Sequence, residues 1–383
     1  MRKLAKLTPL VVAVQLAGPL AAADFVVTRY DDPVPDGCLA TDCSLREAVI
    51  AANLDATFDR ILLSAGTYEL TIAGTAGTDA TTGDLNFVQP AELAGVGAGI
   101  TRIDANTLSR AITYALPAGQ AVLRSVTITG GDFPTTGTAG VHVAASNLLV
   151  EDCELADIGV GTGDRGLEIV GGEATVRRTL FEGVSGTCAN VIVSTAAFEN
   201  VTFTGCGGAE LSASNSASVS CRQCTISDPT DGDIAVTTFS SAAISLENSV
   251  VVGSCFASSA TIASLGGNLE SPGTTCGFVQ TLDQHALADP KLGALGDNGG
   301  PTRTIALLAG SAAIDAGIDA IADGVGCIAV DQRGVGRPQD GDGVNGAHCD
   351  KGAVERSAVT PPTPLFIDGF EQGDEEAWSD VVP

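Results

Sequence analysis

Two groups of residues in this chain have types and spacing that could do chemistry. His142 in Val141-His-Val143 and Glu168 in Leu167-Glu-Ile169 are polar residues flanked by apolar ones, with Asp164 and Arg165 just before the second. An imidazole beside a carboxylate can serve as base and acid, and a carboxylate cluster can hold calcium for a lyase. The second group is Asp340-Gly-Asp-Gly-Val-Asn-Gly346, in which Asp340, Asp342 and Asn345 offer oxygen ligands for calcium. It is half of a calcium loop. Val344, Asn345 and Lys351 occupy the fifth, sixth and twelfth places, where an EF-hand needs other residues. Cys221-x-x-Cys224 lacks the second Cys or His pair that a zinc site requires. No Ser-His-Asp order, phosphate loop or zinc signature occurs, and the chain has 3 His.

What positions these residues is a repeat. Leu123-Arg-Ser-Val-Thr-Ile128, Val150-Glu-Asp-Cys-Glu-Leu155, Val176-Arg-Arg-Thr-Leu-Phe181, Phe198-Glu-Asn-Val-Thr-Phe203, Cys221-Arg-Gln-Cys-Thr-Ile226 and Leu246-Glu-Asn-Ser-Val-Val251 recur at roughly 22 to 27 residues. A second set of short alternating strands keeps the same beat: Val141/Val143, Leu167/Ile169, Val191/Val193, Leu211/Ala213 and Ile234/Val236. Two strands per period with Gly-rich turns predict an all-β fold, a parallel β-helix over 61–283. Leucine-rich repeats need a Leu and Asn consensus that is missing, and propeller blades need about 40 residues. This frame points His142 and Glu168 outward on adjacent coils. The next outward residues are expected to be Ile192, Ser212 and Ala235, too bland for a charged sugar cleft.

Within each line, positions one and four are apolar or small and should both face inward, which requires a bend between them. Position three holds Ser125, Asp152, Arg178, Asn200, Gln223 and Asn248, and Asn and Asp tolerate the left-handed backbone such a bend demands. Position two holds Arg124, Glu151, Arg177, Glu199, Arg222 and Glu247, alternating in sign. Stacked about 4.8 Å apart, these predict an outward ladder of opposite charges that fixes register.

Composition narrows partners and compartment. With 46 Asp+Glu against 19 Lys+Arg and a net charge of -27, the chain is unsuited to nucleic acid. Arg2, Lys3 and Lys6, the apolar Leu7 to Leu20 and Ala21-Ala22-Ala23 read as a secretory signal over 1–23, and no later stretch is long and apolar enough to span a membrane. Export to the cell surface or beyond makes disulfides the default. Of 11 Cys, sequence proximity pairs Cys38–Cys43, Cys255–Cys276 and Cys327–Cys349, with Cys188–Cys206 a cross-coil candidate. Cys153, Cys221 and Cys224 fall at inward positions and are expected as buried thiols.

The open ends of a solenoid need covers. Ser44 and Glu47 form a capping box, and Leu45, Ala48, Val49 and Ala52 give the following helix one apolar face, suited to close the N-terminal end over 24–60. Cys43-Ser-Leu-Arg-Glu-Ala48 followed by Ala51-Ala-Asn53 resembles the CSLREA segment of exported bacterial proteins. Asp297-Asn-Gly-Gly-Pro-Thr-Arg-Thr304, Gly310-Ser-Ala-Ala-Ile-Asp-Ala-Gly317, Asp331-Gln-Arg-Gly334 and Cys349-Asp-Lys-Gly-Ala353 resemble the choice-of-anchor Q domain, here 284–357. Ala312 stands where relatives usually have Pro, and Lys351 where an apolar residue is usual. The resemblance implies a right-handed parallel β-helix on a surface or secreted protein, and no established chemistry. Pro361-Pro-Thr-Pro364 is a stiff linker within 358–383, and Phe366-Ile-Asp-Gly-Phe-Glu371 is similar to short C-terminal sorting or docking motifs.

The expectation is a non-catalytic exported wall that binds an extracellular glycan, a surface protein or a neighbouring cell, with no cofactor beyond calcium. The rival is a polysaccharide lyase or hydrolase centred on His142, Glu168, Asp164 and Arg165. A passive matrix component is the third reading. The sequence does not fix an oligomeric state.

Overall fold

The computed structural model describes residues 22–357 apart from 55, 76, 78, 134–136, 162, 229–233, 320–325 and 345. The expected export segment, save Ala22 and Ala23, and the expected linker and tail lie outside the described residues. The chain winds as a right-handed parallel β-helix with three walls. A ten-stranded wall runs from Asp24–Val26 to Thr261–Ser264, an eight-stranded wall from Leu85–Phe87 to Ser254–Ser258, and a nine-stranded wall from Gly66–Glu69 to Leu269–Ser271. They are called below the ladder wall, the open wall and the covered wall. Each coil visits them in the order open, ladder, covered, as in Thr138–Ala144, Asn147–Glu151 and Glu154–Ala156.

The bend between the ladder and covered walls follows from position three. Ser125, Asp152, Arg178, Asn200, Gln223 and Asn248 all adopt positive φ, between 45° and 57°. One left-handed residue turns the chain so that the residues on either side of the bend both face the core. Stacked inward columns fill that core: Phe181 lies parallel to Phe203 with centroids 4.9 Å apart, and Phe198 meets Phe203 edge-on at 5.4 Å.

The same bend corrects one expectation about the cysteines. Cys221 and Cys224 are not thiols but a disulfide, because Gln223 brings their Cα atoms within 5.9 Å with both side chains pointing inward. Cys38–Cys43, Cys188–Cys206, Cys255–Cys276 and Cys327–Cys349 are also bonded, and Cys153 is left free. Burial pushes the Cys153 thiol up to about 12, so it packs as an inert small apolar group.

On the ladder wall Glu151 pairs in register with Arg124 and Arg177, and Glu199 with Arg177 and Arg222. Ion pairs join Arg124–Glu151, Arg177–Glu199 at 3.1 Å, Arg222–Glu199 at 3.6 Å and Arg222–Glu247 at 3.2 Å. The ladder also extends back through Glu92 to Arg60. It skips one rung: Glu151 turns from Arg177 to Arg178 at the bend, 2.9 Å away. Arg177 is 45% exposed. Arg177→Ala should therefore cost less than about 1 kcal/mol in urea unfolding.

Ser44 caps the helix Leu45–Ala52, its hydroxyl accepting from the Glu47 amide while the Glu47 carboxylate accepts from the Ser44 amide. The helix packs on Asp24–Val26, Asp59–Leu62 and Leu85–Phe87, closing the N-terminal end. The C-terminal segment does something the sequence did not suggest: it lies along the solenoid as a strap over the covered wall. Arg303 pairs with Glu154 at 3.0 Å and Glu182 at 2.7 Å. The bend residues also serve as docking points. Asn200 donates to the Val330 carbonyl, Gln223 accepts from the Ile328 amide, and Asn248 both accepts from and donates to Ile318. Lys351 is buried there, donating to the Leu282 carbonyl at 2.6 Å and the Asn268 carbonyl at 3.3 Å, and burial pushes it down to about 8.

Candidate functional site

The strap covers one wall and charge pairing occupies another, so the outer face of the open wall carries the remaining convergent side chains. Strand register sets its composition. His142 stands opposite Thr113 on one side and Glu168 on the other, and Glu168 stands opposite Asn190. Asn190 is followed by Ser212 and Thr237, and Thr237 by Phe256 at the last strand. Asn190, not Ile192, is thus the neighbour of Glu168, and Thr237 takes the place expected for Ala235, which is fully buried. Ile192 belongs to the adjacent outward column, opposite Val170, which itself follows Ala144.

Glu168 is the centre of the cluster. One carboxylate oxygen accepts from Asn190 Nδ2 at 3.1 Å and faces Arg165 Nη1 at 3.0 Å. The other accepts from the Thr138 hydroxyl and faces His142 Nδ1 at 3.4 Å. Burial alone would raise this carboxyl, but His142, Thr138 and Arg165 outweigh it and bring it down from 4.5 to about 2. Glu168 is therefore ionised at neutral pH and cannot act as a proton donor there. What it can do is face the His142 ring at Nδ1. The expected acid and base pair is instead an imidazole oriented by a carboxylate. Asp164 does not join them; its carboxylate accepts from Ser185 on the following coil, and burial raises it.

A depressed carboxyl stabilises the fold above its ordinary value, and that contribution is lost as pH falls through the folded value. Wild-type unfolding midpoints in urea should therefore fall between about pH 4.5 and 2 by more than those of Glu168→Gln.

Composition gave no hint of Arg110, Thr113 and Asp84. Arg110 donates from Nε to the Thr138 carbonyl at 3.0 Å and from Nη1 to the Thr113 hydroxyl at 2.8 Å, and its guanidinium lies 5.3 Å from the Phe133 ring centroid. The Thr113 hydroxyl in turn donates to Asp84. Burial lowers Arg110 from its usual value while the Asp84 and Glu168 charges oppose this. Because Arg110 precedes its strand by a gap no motif marks, the only sequence signal was its place two residues before Ile112.

In the calcium half-loop, Asp340 and Asp342 come together with Asp315, which lies in the Gly310–Gly317 motif but was not expected as a ligand; one oxygen from each lies within 4.8 Å of the others. Asn345 lies outside the described residues. Asp315 accepts from the Gly341 and Asp342 amides, Asp340 from Gly343 and Asp342 from Val344, so these carboxylates shape the turn. With His348 and Asp319, paired at 2.6 Å, Asp315 and Asp342 border a hollow of about 520 Å³. Calcium titration by calorimetry tests this loop: saturable heat lost in Asp342→Ala assigns an ion to it, and absence of heat leaves the carboxylates as turn-formers.

A family model described as a right-handed beta helix region matches residues 111–270. No curated protein matches the sequence. Among solved structures, the chain is similar to jun a 1, the major allergen from cedar pollen, at 13% identity over 69% of this chain and 77% of that one, with a TM-score of 0.45. It is also similar to pectate lyase Pel9A, at 13% identity over 88% of this chain and 98% of that one, with a TM-score of 0.46.

Proposed function

We propose that this chain is an exported, non-catalytic β-helix whose open wall binds an extracellular glycan. One observation carries the reading: an outward row of polar side chains, Thr113, His142, Glu168, Asn190, Ser212 and Thr237, on successive strands and ending at Phe256, with His142 and Ser212 half-buried and the other four polar members buried between their neighbours. Beside it runs the half-buried column Ala144, Val170 and Ile192. A sugar ring has the same division, with polar edges and an apolar C–H face, and a wall with both can take an extended chain of such rings. Five disulfides and the expected signal over 1–23 support an extracellular address, and no helix among the described residues is long and apolar enough to cross a membrane.

Affinity electrophoresis in gels carrying acidic or neutral polysaccharides tests the reading. Saturable retardation by at least one glycan is expected. Retardation by none would leave a passive matrix component.

The second reading, a polysaccharide lyase or hydrolase, is favoured by the Glu168–His142 contact, since an imidazole oriented by a carboxylate can abstract a proton. Against it, Glu168 is enclosed and ionised, and Asp164 faces elsewhere, so neither of these two carboxyls is placed as the partner acid.

A further inference from the structure

The charge ladder ends on an apolar residue. Its rungs alternate in sign from Arg60 and Glu92 to Arg222 and Glu247, so the next coil is due a cation. That place is taken by Leu265, which follows Ser264, the register partner of Leu246, and is 48% exposed. The change is not confined to one position. From Asn248 to Leu269 there is no Asp, Glu, Lys, Arg, His or Pro, in a chain with 46 Asp+Glu and 19 Lys+Arg.

These residues form the C-terminal end of the solenoid. Thr261–Ser264 is the last strand of the ladder wall and pairs with Ala243–Glu247 on one side alone among the described residues. The other two walls end differently. Gln284 bridges to Leu269 in the last strand of the covered wall, and the Cys255 amide at the end of the open wall donates to the Thr275 hydroxyl. Phe278 is fully buried beside the Cys255–Cys276 disulfide, so the core is plugged while the ladder edge stays bare. Around the plug, Phe256 is 44% and Val279 79% exposed. The Asp283 carboxylate borders this edge, and it accepts from the Ser264 hydroxyl and the Gln280 and Asn268 amides. Solvent-facing edge strands are usually blunted by a charge or a proline, and this one carries neither.

We propose that this end is the interface of a homodimer, in which the Thr261–Ser264 strands of two copies pair antiparallel across a two-fold axis and join their ladder walls. Charge selects a second copy as the occupant. Each chain carries -27, so two copies repel over most of their surfaces and can approach closely only through a face without charge. An edge strand offers main-chain donors and acceptors that a copy of itself can match, and end-to-end contact removes Leu265, Phe256 and Val279 from water. The opposite end is closed by the helix Leu45–Ala52, so the bare edges meet tail to tail. A two-fold contact of this kind is complete at two copies and does not grow into a filament. The proposal is independent of the glycan reading, which concerns the outer face of the open wall.

Sedimentation velocity of the purified chain over a range of concentrations is the test. A monomer–dimer equilibrium is expected. Because neutral surfaces meet while the net charges repel, raising NaCl from about 0.05 to about 0.5 M should tighten it. Leu265→Arg continues the alternation beside Glu247, which suits the single chain, yet sets a charge on the joining edge and should weaken the dimer at least about tenfold. Val279→Asp, outside any strand, should weaken it similarly, and Val160→Glu on a middle coil should leave it unchanged. Melting temperatures equal to the wild type establish that the variants fold. Hydrogen exchange places the contact: amides of 261–265 should exchange more slowly as concentration rises. A monomer at every concentration would overturn the proposal, as would open-ended polymers. So would a dimer that salt dissociates, or one that survives both Leu265→Arg and Val279→Asp.

Discussion

Arg337→Met should lower the free energy of unfolding by about 3–5 kcal/mol, the usual cost of removing one member of a buried ion pair. Arg337 and Glu355 are fully buried and meet at 2.7 Å. Arg337 also donates to the Asp350 and Gly352 carbonyls, so it ties the last turns of the strap together. Without it, Glu355 would be a buried carboxylate whose other contacts are the Asp350 and Gln339 amides. Burial already raises the Glu355 carboxyl. The double variant Arg337→Met/Glu355→Leu should recover part of the loss, since it leaves no unpaired charge. Urea unfolding of both variants decides this. A loss below about 1 kcal/mol for the single variant would mean that the strap does not unfold with the solenoid.

At the opposite end, Arg46→Met should cost a similar ~3–5 kcal/mol for the same reason. Arg46 lies in the capping helix with a fully buried side chain, and its Nε and Nη2 reach the two oxygens of Asp32 at 2.7 and 2.9 Å. Its remaining donors go to the Ala80 and Gly83 carbonyls. Asp32 in turn accepts the Thr71 and Ile72 amides, so one ion pair fastens the helix, the segment between the first strand and the helix, and the loop after Gly66–Glu69. Ser44→Ala, which removes only a cap, should cost about 1 kcal/mol. Unfolding measurements that give Arg46→Met no greater effect than Ser44→Ala would contradict the fastening role.

The fold was legible because its determinants are local and repeated. The left-handed bend is visible in Asn200 and Asn248, and the charge ladder in residues one coil apart. The site was only half legible. Alternation correctly faced His142 and Glu168 outward, but Val191-Ile-Val193 and Ala189-Asn-Val191 both alternate, and choosing between them requires knowing where the strand stops. It stops at Ile192, and Val193 takes φ 52° at the turn with 58% exposure. A β-branched residue is disfavoured in that conformation, so nothing in the sequence marked it as a turn. The Cys221–Cys224 bond was missed although both residues were placed inward, because facing inward does not say that two side chains meet. The strap could not be read at all: Arg303 and Glu154 are 149 residues apart, and no periodicity links them.

Product analysis during prolonged incubation with polygalacturonate and neutral glycans, with and without calcium, tests the central claim most directly. The readout is new reducing ends and unsaturated products. A non-catalytic wall predicts that glycan bound by the chain is recovered at its original length. Products that appear with the wild-type chain and vanish in His142→Ala/Glu168→Ala would contradict it and make the open wall an active site.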